Sequence, residues 1–457
     1  MTDFRSIADR IADDIAAGRL RPGQRLPPQR WFARRHRIAP STAGRVYGEL
    51  VRRGLVVGEV GRGTFVRAAP PPAQGRALVE TATVAPVNLE LNYPSAPGQS
   101  ELLAPVLAPL LRPDVLAEAL GPGAADGTPA AREAAARLLA VPGWRPEPDR
   151  FLFTGNARQA IAAALASLVR PGGRVGVEEL TYPLVKEIAA RLGVVLVPLD
   201  GDAEGVRPDA IAAAHRTAPL SALYLQPTLH NPTSSTTGEG RRRELGLLAV
   251  GLGLPVVEDR IWSFLHPDAV PLAVHAPGLV HVVDGLSKRV APGLAVGFLV
   301  VPEHRTREVA AAVRSGGWSA GRFAVEAAVR WAREGVVRQL VERKREDAAR
   351  RQAILGEHLD GFAVRTDPHA YYAWWELPAP WRADAFTAAA AAHGIAVTPG
   401  TAFAVDPHRT PDAVRLGLAS PPERELARAL RVLAGVAAGG PAAGGPGAGR
   451  PAASGMG

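Results

Sequence analysis

The 457-residue chain contains no cysteine. Disulfide bonds and thiolate-bound metal sites are therefore excluded, and the absence suits a reducing compartment. Long apolar runs are missing too: the longest candidate, residues 245–257, is interrupted by glycine and proline, short of the roughly 18 residues of a membrane span. The N-terminus carries mixed charges and no apolar stretch, which argues against a signal peptide. We expect a cytoplasmic protein with no membrane segment and no metal site.

Lysine is nearly absent. Only Lys186, Lys288 and Lys344 are lysines among the 53 basic residues. Arginine replaces lysine at most surface positions, but it cannot form an imine because its pKa is too high to release a free amine. Lys288 follows a strand-like apolar run, residues 279–283, and lies in a Ser-Lys-x-x-x-Pro-Gly stretch. This context predicts the aldehyde-binding lysine of pyridoxal 5'-phosphate (PLP) chemistry. The alternative is an ordinary surface lysine.

The positive charge is concentrated at one end of the chain. Residues 1–67 contain 14 arginines against 6 acidic residues, a surplus of 8, while the whole chain carries +9. A basic pole of this kind indicates a polyanionic partner. Because no apolar-faced anchor helix accompanies it, the pattern favours nucleic acid over a membrane surface.

The same basic segment predicts three short helices followed by two strands. Ile7, Ile11 and Ile15 recur every four residues, which is typical of an amphipathic helix. A second helix should follow the Leu-Arg-Pro-Gly turn, and a third should span about residues 41–53. Residues 55–66 predict two strands around a Gly-Arg-Gly tip. This order indicates a winged helix-turn-helix.

The segment resembles the GntR family of regulators, through Gly-Arg-Leu-Arg-Pro-Gly-x-x-Leu-Pro before the second helix and Gly-x-Gly-Thr-Phe-Val at the wing. The resemblance implies that the partner is double-stranded operator DNA. It implies these contacts: Arg30 on phosphate, Ser41, Thr42 and Arg45 in the major groove, and Arg62 in the minor groove. The family's usual Ser-Arg before the two hydroxyls is Ala39-Pro40 here, so the operator sequence does not follow from relatives. The alternative is a small packing domain with a basic surface.

Composition divides the chain into four parts. We expect a DNA-binding domain at residues 1–67, a semi-rigid Pro-rich linker at 68–87, a large domain at 88–437 and a disordered Gly- and Pro-rich tail at 438–457. In the large domain, short apolar strands alternate with helices, which predicts an α/β fold with a mostly parallel sheet covered on both faces. Ligands of such sheets bind where strands end.

Motifs along residues 88–435 resemble the fold-type I, aspartate aminotransferase-like PLP enzymes, in the family's order. The resemblance implies a role for each matching residue. Gly155, Asn156 and Ala157 would bind the cofactor phosphate through backbone N–H groups, Tyr182 would stack on the ring, Asn231 would donate to the phenolate oxygen, Asp259 would pair with the pyridinium nitrogen, Lys288 would carry the imine, and Arg415 would clamp a carboxylate.

Three positions depart from that family pattern. Gly285 stands where a phosphate-binding serine is usual, Ala295 where an arginine is usual, and Trp262 where a tyrosine is usual. Each lost charge-assisted phosphate contact costs about 1.5–3 kcal/mol. We expect Arg158 or Arg289 to compensate.

The combination of a GntR-type head, a Pro-rich linker and an aminotransferase-like domain resembles the MocR subfamily of transcription regulators. The resemblance implies a PLP-dependent regulator that senses an amine or amino acid through an aldimine, which displaces Lys288. It also implies a head-to-tail homodimer. One alternative is an active aminotransferase with an autoregulatory DNA-binding head, so whether the domain turns over stays open. Another is a sensor domain that has lost PLP.

Overall fold

The structure is a computed structural model. It describes residues 4–16, 19–20, 23–52, 55–59, 63–66, 85–294 and 296–440. Arg62, Ala295, most of the predicted linker and residues 441–457 lie outside the described residues.

The N-terminal part is a winged helix-turn-helix, as predicted. Its elements are α1 (Phe4–Ala16), α2 (Gln29–His36), α3 (Pro40–Arg52), β1 (Val56–Glu59) and β2 (Gly63–Val66), with β1 and β2 antiparallel. Ile7, Phe32, Val46 and Leu50 form its buried core. Proline fits the first position of α3 because the N–H it lacks would have no helical partner there.

The large domain has many more elements. In chain order they are β3 (Val87–Asn88), α4 (Gln99–Leu107), α5 (Pro113–Ala119), α6 (Pro129–Leu139), β4 (Phe151–Thr154), α7 (Ala157–Leu168), β5 (Arg174–Glu178), α8 (Pro183–Leu192), β6 (Val195–Leu199), β7 (Gly201–Asp202), β8 (Gly205–Val206), α9 (Pro208–Thr217), β9 (Ala222–Leu225), α10 (Glu239–Leu252), β10 (Val256–Asp259), β11 (Val280–Gly285), α11 (Leu286–Arg289), β12 (Gly297–Val300), α12 (Thr306–Ser315), α13 (Arg322–Arg333), α14 (Val336–Leu359), β13 (Val364–Thr366), β14 (Tyr372–Glu376), α15 (Ala383–Ala392), β15 (Ile395–Ala396), β16 (Thr398–Pro399), β17 (Ala413–Gly417) and α16 (Glu423–Gly439).

A seven-stranded sheet forms the centre of this domain. Its order is β4-β12-β11-β10-β9-β5-β6, and only β12 runs antiparallel to its neighbours. The strands β4, β9, β10, β11 and β12 are buried along their whole length because helices cover both faces. Helices α7 and α12 pack on one face and α6, α13 and α14 on the other. The predicted mostly parallel α/β sheet is confirmed.

A smaller antiparallel sheet, β13-β14-β17-β16, packs against α14, α15 and α16. Buried Trp375 and Phe386 anchor this contact. The short strand β3 pairs with β15 and starts at Val87, the last residue of the predicted linker. Helix α16 ends at Gly439, two residues beyond the predicted end of the domain. No helix within the described ranges is long and apolar enough to cross a membrane.

Candidate cofactor and effector site

A cavity of about 460 Å³ lies where β5, β9, β10 and β11 end. The sequence-predicted residues of the large domain all line it: Gly155, Asn156, Ala157, Tyr182, Asn231, Asp259, Lys288 and Arg415. They come from segments up to 260 residues apart in the chain (415 minus 155). Their proximity agrees with one common site, and the role of each residue stays a prediction.

Lys288 projects into this cavity from the one-turn helix α11. Its Nζ donates a hydrogen bond to the Asn92 carbonyl oxygen at 2.7 Å. The same atom lies 3.9 Å from the centre of the Tyr93 ring and 5.2 Å from that of the Trp262 ring. Aromatic faces attract cations, and both rings lie within cation–π distance of the amine. Trp262 therefore forms a wall of the cavity where the family pattern has a tyrosine.

Asp259 is a buried carboxyl group at the end of β10. Its Oδ2 accepts a hydrogen bond from Tyr224 Oη at 2.7 Å, and its Oδ1 accepts one from the Ile261 backbone N–H at 3.0 Å. Burial raises the pKa of Asp259 to about 6, although both hydrogen bonds oppose the rise. The group is therefore mostly ionised at neutral pH and suits a protonated ring nitrogen.

Arg415 and Asn231 form the opposite end of the cavity. Arg415 Nη1 lies 3.4 Å from Asn231 Oδ1, and Nη2 donates to the Glu90 carbonyl oxygen and to Thr398 Oγ1. Because the amide oxygen of Asn231 accepts from Arg415, its NH₂ group is the donor side. Burial lowers the pKa of Arg415 to about 10, so the guanidinium stays charged at neutral pH. Its buried Nε has no hydrogen-bond partner among the described residues.

The N-terminus of α7 supplies the third wall. Asn156 caps this helix, since its Oδ1 accepts a hydrogen bond from the Gln159 N–H at 3.0 Å. A Cβ atom on Gly155 would lie 2.4 Å from Gln159 Oε1, so a larger residue there would require the end of the Gln159 side chain to move. The first N–H groups of a helix attract anions, and this end of the cavity therefore fits a phosphate.

Of the two arginines expected to compensate for the lost phosphate contacts, only Arg158 lines the cavity. Arg289 instead binds both carboxylate oxygens of Asp284, at 3.2 and 2.5 Å, beside a separate small cavity. Of the two, Arg158 is therefore the candidate that remains, and its role as a phosphate contact stays a prediction.

Gly285 is explained by packing. A Cβ atom there would lie 3.1 Å from the Val296 carbonyl oxygen and 3.4 Å from the Gly297 Cα atom. The close approach of β12 to β11 thus leaves little room for the serine of the family pattern.

Several supporting residues were not predicted. Buried Arg242 donates to the Pro227 and Thr237 carbonyl oxygens and lies 3.5 Å from buried Glu258. It thereby ties the loop that carries Asn231 to β10. In the sequence, Arg242 is the middle of three consecutive arginines, a pattern typical of a solvated surface, so no local signal identifies it.

His230 joins two walls of the site. One ring nitrogen lies 2.9 Å from the Leu180 carbonyl oxygen and the other 2.8 Å from Thr233 Oγ1. Burial lowers the pKa of His230 to about 4, so the ring is neutral at physiological pH. It connects the Asn231 loop to the segment that leads to Tyr182.

In the head, the predicted DNA contacts lie at the surface, Arg30 at the start of α2 and Ser41, Thr42 and Arg45 in the first half of α3. Arg30, Ser41 and Arg45 are exposed, and Thr42 is partly exposed. The Arg45 guanidinium lies over the Phe4 ring, 4.1 Å from its centre. Arg62 lies outside the described residues, and the groove assignments stay predictions.

The fold and the site together define an aminotransferase-like domain joined to a winged-helix head. Residues 118–433 match the family model "Aminotransferase class I and II", and residues 4–66 match "Bacterial regulatory proteins, gntR family". The chain belongs to the aminotransferase class I and II family and carries a gntR-family DNA-binding domain, which is the arrangement of the MocR subfamily.

Similar proteins include transcriptional regulators and an aminotransferase. The HTH-type transcriptional regulator YdeF of Bacillus subtilis is 28% identical over 432 residues, covering 94% of this chain and 93% of YdeF. The pyridoxine biosynthesis transcriptional regulator PdxR of Corynebacterium glutamicum is 24% identical, covering 77% of this chain and 78% of PdxR. An archaeal alanine:glyoxylate aminotransferase structure matches with a TM-score of 0.71 at 20% identity, covering 77% of this chain and 91% of that protein, which is a likeness of fold.

The raised pKa of Asp259 predicts a pH dependence of PLP affinity. Below about pH 6 the carboxyl group is neutral and cannot pair with a protonated ring nitrogen. Affinity should therefore rise with pH through that value and then level off. Tyr224→Phe removes a hydrogen bond that lowers the pKa of Asp259, so the midpoint should move to higher pH. Absorbance titrations with PLP from pH 5 to 8 measure both effects, with Asp259→Asn as the control. Identical profiles for wild type and Asp259→Asn would remove Asp259 from its predicted role.

Arg158 should contribute to phosphate binding. Arg158→Ala should weaken PLP affinity about tenfold or more, the loss expected for one charge-assisted contact. Arg191→Ala is the matched control, because Arg191 lines the adjoining groove with Arg158 but not the cavity itself. The comparison uses absorbance titration with PLP and, separately, with inorganic phosphate as competitor. Equal affinities for the two variants would contradict the assignment.

Proposed function

We propose that this protein is a PLP-dependent, DNA-binding transcription regulator that detects a small amine or amino acid. The observation that carries the proposal is one cavity that holds both the Lys288 amine and the buried Arg415 guanidinium, in a chain that begins with a gntR-family head. The relatives named as HTH-type transcriptional regulators support it.

The cavity residues fit PLP from end to end. The N-terminus of α7, with Arg158, offers positive potential for the phosphate, and Tyr182 offers a ring face. Asn231 offers an amide donor, and Asp259 a carboxylate for the ring nitrogen. PLP, when bound, supplies an aldehyde that amines attack and a ring that withdraws electrons.

The same cavity suits a small ligand that carries an amine and a carboxylate. Arg415 is positioned to bind a carboxylate, and a guanidinium does so through two parallel hydrogen bonds. The amine of such a ligand would replace Lys288 as the partner of the PLP aldehyde. The remaining walls are mostly apolar and include Leu91, Ile161, Leu184 and Ile261.

Residues 89–93 lie between the predicted linker and the other cavity residues, and they contact both cationic groups of the cavity. Arg415 donates to the Glu90 carbonyl oxygen, and Lys288 donates to the Asn92 carbonyl oxygen. A ligand that engages both cationic groups would compete for these two hydrogen bonds, both of which fall on one short segment. That segment follows the predicted linker directly, so it is the covalent route from the cavity to the DNA-binding domain. We also propose a head-to-tail homodimer, whose two heads would read paired half-sites.

Turnover as an aminotransferase is the second candidate, favoured by the presence of an amine, a ring-nitrogen partner and a carboxylate clamp in one cavity. Spectra of the PLP-loaded protein with an amino acid and 2-oxoglutarate separate the two functions. A working aminotransferase regenerates its starting spectrum and releases the new amino acid, whereas a sensor shows a stable change without product.

DNA binding and ligand sensing are testable together. Duplexes selected from a random library give a probe for fluorescence anisotropy, with PLP present and a panel of amines and amino acids added. The wild-type affinity should change with at least one ligand, and borohydride treatment should fix PLP to Lys288. Lys288→Ala should lose both the adduct and the ligand response. Arg45→Ala should keep the adduct and weaken duplex binding by about 1–3 kcal/mol, the usual range for a base-reading arginine. A protein without an adduct or any affinity for duplexes would contradict the proposal.

A further inference from the structure

Lys344 is a wholly buried lysine, with 0% of its surface exposed, on the long helix α14. Its Nζ donates to the Lys288 carbonyl oxygen at 3.0 Å and to the Val290 carbonyl oxygen at 2.7 Å. It does not belong to the residues that line the cavity, so its contact is with the backbone that carries Lys288.

We propose that Lys344 is a positioning residue, which fixes the backbone of residues 286–290 and thereby the direction in which Lys288 projects. That this fixation serves PLP binding rests on the proposed function above. The fixation of residues 286–290 by Lys344 is a property of the fold, and it can be tested without PLP.

The loop needs such support because α11 has only four residues, a single turn. The last carbonyl groups of a helix lack partners within it. Val290, which follows α11, has φ −114° and ψ −83°, outside the helical and extended regions. The Lys344 ammonium therefore caps α11 from a helix more than 50 residues further along the chain.

Helix α14 is itself fixed on this side. Tyr371 Oη donates to the Lys344 carbonyl oxygen at 2.7 Å and lies 2.9 Å from Asp347 Oδ2. Two turns further on, Arg351 donates to the Leu418 carbonyl oxygen at 2.6 Å, three residues after Arg415. Helix α14 thus contacts the backbone that carries Lys288 and also the chain three residues beyond Arg415.

The cost of burying this amine argues for a specific role. Burial lowers the pKa of Lys344 to about 7, with Asp347 opposing the fall. A methionine would fill a similar volume without that penalty. Since a neutral amine still has two N–H groups, Lys344 can satisfy both carbonyl groups in either protonation state. Arginine supplies 50 of the 53 basic residues, so a lysine at this buried position is an exception. Its N–H groups all lie on one nitrogen atom, which here reaches both carbonyl oxygens.

The test compares the full-length variants Lys344→Met and Lys186→Met. Lys186 is the matched control, because its partly buried Nζ also donates to a backbone carbonyl oxygen, that of Ala404 at 3.1 Å, away from residues 286–290. Hydrogen exchange of the amides in residues 286–290 is measured without PLP, where local opening sets the rate. PLP affinity is then measured by absorbance titration, and trapping at Lys288 by borohydride and peptide mass.

We expect exchange in residues 286–290 to accelerate about tenfold in Lys344→Met, the change expected for lost charge-assisted hydrogen bonds, and PLP affinity to fall by a similar factor. Lys186→Met should match wild type in both. Lys344→Gln, which keeps one amide donor, provides the second variant should Lys344→Met not fold, and its exchange should lie between the two.

The outcomes separate this inference from the proposed function. Exchange within twofold of wild type in a folded Lys344 variant would overturn the positioning role. Accelerated exchange in a protein whose wild type takes up no PLP would keep the positioning role and remove the proposed function.

Discussion

The parallel arrangement of β5, β9, β10 and β11 places the carboxyl ends of four strands at one edge of the central sheet. Strands β9, β10 and β11 are buried along their whole length, and the polar residues of the site lie at or just beyond the strand ends, where they meet a common cavity. Asp259 comes directly from a strand end, Asn231 from the loop after β9, and Lys288 from the turn after β11. The remaining features of the site depend on that edge, since a shift of register would turn Asp259 toward the core.

The electrostatics of the cavity follow from burial. Burial raises the pKa of Asp259 and lowers that of Arg415, because it disfavours the charged form of each group. An oppositely charged ligand group nearby would stabilise the charged form of each. The end of the cavity predicted to bind the phosphate differs from the family pattern. Close packing of β12 against β11 leaves little room for a side chain at Gly285, and the N-terminus of α7 and Arg158 line that end of the cavity.

Two structural elements connect the site to the rest of the molecule. Residues 89–93 accept hydrogen bonds from Lys288 and Arg415 and lead toward the linker. Helix α14 supports the backbone next to the same two residues through Lys344 and Arg351. The two cationic groups thus contact residues 89–93 on one side and lie beside backbone that α14 contacts on the other.

The sequence alone determined the local and ordered features of this protein. Periodic isoleucines, the wing motif and the charge surplus identify the head, and the order of short motifs identifies the fold and the cavity residues, because each motif joins a strand end to a turn with its own chemistry. Scarcity of lysine singled out Lys288. The tertiary structure decided what depends on contacts between distant segments. It turned Arg289 onto Asp284, placed Arg242 under the Asn231 loop, set Tyr224 against Asp259, and brought Lys344 beneath α11. None of these carries a local signal, because strand register and helix packing, which no short stretch of sequence encodes, select the partner of each buried polar group.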